Sequence, residues 1–157
     1  MAASLDADEL VVRYVGGSNF DERTGKVDGS AFDRKPKDDD GLSFTRRYFL
    51  NKEDDEDKNA IREIFASRMK VGSTAQFAQL RVGDALEALS EFGDIFDFVE
   101  DELAADGDRL ANPAHSLLMG LPFVDEVIGS LRSEVAGDLL ARCITSNFRA
   151  KLEDEDR

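Results

Sequence analysis

A chain of 157 residues with 41% hydrophobic residues has the size of one domain and is too apolar to stay disordered throughout. Its 34 acidic against 20 basic residues give a formal net charge of −14, which opposes non-specific binding to nucleic-acid phosphates or anionic lipid. A single cysteine, Cys143, excludes an intrachain disulfide and a cysteine-cluster metal site, and no apolar run approaches the roughly 18 residues of a membrane span.

In chain order, residues 1–8 read as a flexible acidic N-terminus, unlike the basic start of a signal or transit peptide, so a cytoplasmic protein is expected. Glu9 to Val15 is β-branched and aromatic and ends at Gly16-Gly17, which predicts a strand and a turn. Thr24-Gly25 and Asp28-Gly29 carry turn chemistry around Lys26-Val27, and Ser30 to Arg34 is a candidate second strand. The polar stretch Arg34 to Gly41 is a loop, since Pro36 cannot sit in a central strand, and Leu42 to Thr45 resumes extended structure.

The period then changes. Ile61, Ile64, Phe65 and Met69 form one stripe of an amphipathic helix over about 52–71, with five acids, Glu53 to Asp57, at its positive dipole end. Ala75 to Val82 predicts a strand with Ala78, Leu80 and Val82 on one face, and Gly83 to Phe92 a short helix with Leu86 and Leu89 inward. Ile95 to Val99 reads as another strand, followed by an acidic loop to Asn112. Apolar steps of three and four from Val124 to Ile144 predict a long C-terminal helix over about 123–148, with Gly129 and Gly137 as kink points. Residues 151–157 read as a flexible acidic tail. The expected fold is therefore a single α+β domain over 9–150: a small, mainly antiparallel sheet from the first two thirds, packed with these helices.

The charge is uneven along this plan. Residues 51–112 hold 16 acids against 7 bases, whereas residues 1–50 hold 10 against 8. The acids are mostly Asp (21, against 13 Glu) and the bases mostly Arg (13, against 7 Lys), a bias found in proteins of salt-rich cytoplasm and produced equally by a GC-rich genome. It speaks to solubility and association and not to fold.

Several chemistries lack their motif: there is no phosphate-binding Gly-rich loop and no Gly-x-Ser-x-Gly elbow. Asp38-Asp39-Asp40-Gly41 has the wrong register for a calcium loop, whose twelfth position would be Arg47 instead of Glu. No cofactor and no metal site are expected. His115 is the only histidine, so a histidine-activated nucleophile or a histidine general acid or base must use it; hydrogen bonding to backbone is its simpler use. Arg13 and one of Arg46 and Arg47 are candidates for an anion clamp if their strands are neighbours, because alternation sends Arg46 and Arg47 to opposite faces. Pairing with the many acids is their simpler use.

Asp28-Gly29-Ser30-Ala31-Phe32, with Asp40-Gly41-Leu42-Ser43 downstream, and Asn112-Pro113-Ala114-His115-Ser116, with Gly120 after it, resemble motifs of short bacterial and archaeal proteins of unknown function. The resemblance spans roughly residues 10 to 145 and implies a shared α+β fold and a shared site around Phe32, Ser43 and His115, with no reaction attached. As plain chemistry, Asp-Gly is hairpin punctuation and Asn-Pro forces an extended or turn conformation, which accounts for every motif residue except His115 and Ser43.

Two functions from different classes follow. The first is a non-enzymatic acidic module that binds a protein partner with a basic surface, without direct contact to nucleic acid or membrane. The second is a small enzyme acting on a phosphorylated or nucleotide-like substrate, with His115 as general acid or base, Ser43 as an orienting hydroxyl and Arg13 or Arg46 as the anion clamp. Their discriminator is the setting of His115: a recess shared with Ser43 or an arginine favours the enzyme, and burial against backbone alone favours the module.

Overall fold

Alternation in the first strand decides the architecture. In β1 (Leu10–Val15), Val11 and Val15 enter one core while Val12 and Tyr14 enter another, so the strand is buried on both faces. The computed structural model describes residues 3–38, 40–92, 95–123 and 127–152. The other strands are β2 (Phe20–Asp21), β3 (Lys26–Val27), β4 (Leu42–Arg46), β5 (Gln76–Arg81), β6 (Asp97–Glu100), β7 (His115–Met119) and β8 (Ser146–Arg149). Six of them form one antiparallel sheet in the order β6-β7-β4-β1-β5-β8, and β2 and β3 form a separate hairpin whose turn uses Gly25 at φ 71.

Helices cover both faces. On one side α1 (Asp54–Arg68) sets Ile61 against Val12, Phe77 and Phe148. On the other, α2 (Val82–Leu89) and α3 (Val127–Arg142) enclose Phe32, Leu42, Phe44, Leu80, Phe98 and Leu118. Phe44 meets Phe98 edge-on at 5.1 Å and stacks on Phe32 at 6.3 Å, so these rings are core and are not presented to a ligand. The expected α+β fold with a mainly antiparallel sheet is the one observed. Among the described residues no helix is long and apolar enough to cross a membrane.

The differences from expectation have local causes. The C-terminal helix ends at Arg142, and Ser146–Arg149 is the edge strand β8, whose Phe148 packs in the α1-side core. Gly137 does not break α3, which runs through it to Arg142: a Cβ there would lie 2.4 Å from the Gly29 carbonyl oxygen, so glycine lets the helix touch the 29–32 segment. That segment is a 3-10 turn, Gly29–Phe32, and not a strand, because the Asp28 carboxylate caps the Ser30 N–H. In the described part of the N-terminus, Leu5 donates to the Phe98 carbonyl and Ala3 accepts from Glu100 N–H, along the outer edge of β6. Of the tail expected to be flexible, residues 153–157 lie outside the described residues, as do 124–126 of the expected helix.

The acids at the start of α1 also do more than complement its dipole. Asp57 is fully buried; its carboxylate takes Arg47 Nη1 at 2.6 Å and the main-chain N–H groups of Tyr48 and Asn51.

Candidate functional site

β7 is the strand that sequence reasoning left out, and it carries His115 as its first residue. Register does the assembly. Thr45 of β4 stands directly opposite His115, and Ser43, two residues back, shares that face as a diagonal neighbour. On the other side, β6 pairs Glu100 with Ser116, which carries Asp101 opposite His115; the Asp101 N–H donates to the His115 carbonyl at 2.9 Å. Gly41, at φ 150, brings the chain into β4: a Cβ there would come within 2.9 Å of the Leu118 carbonyl oxygen.

The outcome is a hydrogen-bonded relay. His115 Nε2 lies 3.1 Å from Ser43 Oγ. His115 Nδ1 lies 2.9 Å from the Asp101 carbonyl oxygen and 3.0 Å from its carboxylate Oδ2. Both partners of Nδ1 are acceptors, so the neutral ring carries its proton there and the Nε2 lone pair faces the Ser43 hydroxyl. His115 is 8% exposed, whereas Ser43 is exposed. The ring is therefore fixed by protein while the hydroxyl opens to solvent.

Ser43, His115 and Asp101 line a recess of about 290 Å³ together with Lys37, Asp38, Asp40 and the sheet residue Leu117. Its wall is mostly polar, and Lys37 is the only lysine or arginine among the lining residues. A larger recess of about 480 Å³ between α1 and residues 150–152 is lined by no serine, cysteine or histidine. Among the described residues no three His, Cys, Asp or Glu side chains gather in a way that could hold a metal ion.

The two arginines of the expected anion clamp are engaged elsewhere. Arg46 grips the Glu9 carboxylate with Nε and Nη2, reaches Glu100 at 3.3 Å and stacks over Phe49, on the opposite face of β4 from Ser43. Arg13 donates to the main-chain carbonyls of Ala31 at 2.9 Å and Ser43 at 3.0 Å. Burial pushes its guanidinium down to about 10, an effect the Asp38 and Asp33 carboxylates oppose. It therefore holds the Ser43 backbone instead of facing the recess.

Cys143 is half-buried, with its thiol 3.6 Å from the Asp84 carbonyl oxygen; burial, with Asp84 adding to it, pushes that thiol up, away from the thiolate form. Ser43 and His115, both singled out in the sequence, are thus brought together, and Asp101 is the member sequence reasoning missed. Its only advance signal is that an acidic hairpin leading back into His115 must place some acid opposite the histidine. No family model, curated protein or solved structure matches the chain.

Proposed function

We propose that the chain is a small hydrolytic enzyme of the acyl-transfer class, with Ser43 as nucleophile, His115 as general base and Asp101 as the group that orients the imidazole. The observation that carries this reading is the pair of contacts on one ring: Nε2 at 3.1 Å from Ser43 Oγ and Nδ1 at 3.0 Å from Asp101 Oδ2. In the reaction Ser43 Oγ attacks the substrate carbonyl carbon as its proton passes to His115 Nε2. The protonated ring, stabilised by Asp101, then gives that proton to the leaving oxygen or nitrogen as its bond to carbon breaks. Water repeats the sequence in reverse and frees Ser43. Lys37 is the cation in the lining that complements the oxyanion formed on attack.

The charge of the recess argues against the phosphorylated substrate expected from sequence. Asp38, Asp40 and Asp101 put three carboxylates in the lining of the recess, while Arg13 and Arg46 are committed to Ala31, Ser43, Glu9 and Glu100. Neutral or cationic esters and amides suit this wall better. The test is steady-state hydrolysis of p-nitrophenyl acetate. His115→Gln and Ser43→Ala are expected to lower kcat/KM by about 10²–10⁴-fold. Equal rates in the parent and both variants would defeat the reading.

A second reading, the acidic module for a basic protein partner, is favoured by the exposed Glu102, Asp106 and Asp108 on the hairpin beside the recess. It requires binding to a basic protein that weakens steeply with salt and is unchanged by Ser43→Ala. Binding that is absent or independent of salt removes it.

A further inference from the structure

We infer that Asn112 is the positioning residue of this relay, an inference that rests on the hydrolase reading for its catalytic meaning. Asn112 is 2% exposed and touches every segment that supplies the relay. Its Oδ1 accepts the Ala114 N–H at 3.1 Å, an Asx turn that sets the chain direction through Pro113 into β7. With Oδ1 so occupied, Nδ2 faces Thr45 Oγ1 at 3.2 Å, and Thr45 is the residue of β4 directly opposite His115 and two from Ser43. Its carbonyl accepts the His115 N–H at 3.2 Å and the Leu103 N–H at 3.0 Å, and its own N–H donates to the Leu103 carbonyl at 2.8 Å. Leu103 is two residues beyond Asp101 on the same arm of the hairpin. One buried residue therefore ties three segments: its side-chain amide joins the start of β7 to the strand bearing Ser43, and its main chain holds the arm bearing Asp101 through Leu103.

Geometry makes this matter. The His115 ring must stay near 3 Å from both Ser43 on β4 and Asp101 just beyond β6, and a misplacement of about 1 Å can cost about 10²-fold in rate. The Asn112 Nδ2–Thr45 Oγ1 bond is the side-chain link between β4 and this turn, beside the main-chain bond from Arg46 N–H to the Ala114 carbonyl at 2.8 Å.

The test uses the fact that His115 is the only histidine, so one imidazole gives all the ring signals in an NMR spectrum of the labelled protein. In the parent, the Nδ1-protonated tautomer is expected. Asn112→Ala is expected to broaden or remove the Nδ1–H resonance, to mix the two tautomers, and to slow labelling of Ser43 by a fluorophosphonate at least about 10-fold. If that variant does not fold, Thr45→Val removes the acceptor and leaves the turn intact; it is expected to change the same signals in the same direction, and Thr45→Ser to restore the parent behaviour. A folded Asn112→Ala or Thr45→Val protein with parent ring signals and a parent labelling rate would overturn the inference. Failure of the parent to be labelled at all would count against the hydrolase reading instead, while the tautomer signals would still decide the positioning role.

Discussion

Two polar networks lie on the α1-bearing side of β4 and its extension, built from residues of the same alternation, Ser43, Thr45 and Arg47. They differ in what surrounds them. The Arg47 network is closed: Arg47 and Asp57 are both buried, Asp54 adds a second carboxylate, and Tyr48 is held at φ 66 by its N–H bond to Asp57 and its hydroxyl bond to Asp54. The Ser43 network is open: His115 is fixed on both ring nitrogens, yet the hydroxyl it faces is exposed in a recess. The buried Arg47–Asp57 pair, with Asp57 also accepting from the Tyr48 and Asn51 main chain, holds the 48–51 loop in place. A relay with one solvent-facing end is placed to act on something that arrives. Aspartate thus fixes a loop in one network and, on the hydrolase reading, orients the base in the other, and access separates the two.

Substitutions can break that contrast. Asp57→Ala leaves the Arg47 guanidinium buried against one remaining carboxylate and two main-chain N–H groups without acceptors, so it is expected to cost about 3–5 kcal/mol in urea-unfolding measurements. Ser43→Ala should do the reverse, abolishing labelling while keeping stability within about 0.5 kcal/mol of the parent. If Ser43→Ala unfolds the protein, the open network is structural and the contrast fails.

Gly137→Ala tests the packing behind β4. The added methyl meets Gly29 backbone, and a loss of about 1–3 kcal/mol is expected, read as a lower unfolding midpoint. The smallest effect expected is at Asp28, whose carboxyl is held below the usual carboxylate range by the Ser30 N–H and hydroxyl. A lowered acid pKa means that its contribution is present above the unfolded value and lost as pH falls through the folded one. Asp28→Ala should therefore cost at most about 1 kcal/mol at pH 7, and its difference from the parent should start to shrink below roughly pH 4 and be lost once the folded carboxylate is protonated at lower pH. A difference that grows on acidification would contradict that sign.

The layered α+β plan was legible because β1 shows itself by β-branched composition before Gly16-Gly17, and β5 and α1 by period. β7 was not: His-Ser-Leu-Leu-Met is buried over four consecutive residues, so it shows no alternation to read. The end of α3 was hidden because Phe148 falls four residues after Ile144, a helical spacing, although Phe148 belongs to the core on the other face of the sheet. Site residues followed the same division. Ser43 and His115 could be picked out as the motif residues that turn chemistry left unexplained. Asp101 and Asn112 depend on the register of a long hairpin, bridged at Leu103 with Asn112, and short-range pattern carries no information about it. The arginines were right in type for a clamp, but strand alternation and the nearby carbonyls and carboxylates claim them first.

The central claim is that Ser43 is activated by His115, and site-resolved labelling tests it most directly. Treatment with a fluorophosphonate followed by peptide mapping should give one phosphonylated residue, Ser43, formed at least about 10²-fold more slowly in His115→Gln. Adducts scattered over other serines, or a Ser43 rate unchanged by loss of the imidazole, would contradict it.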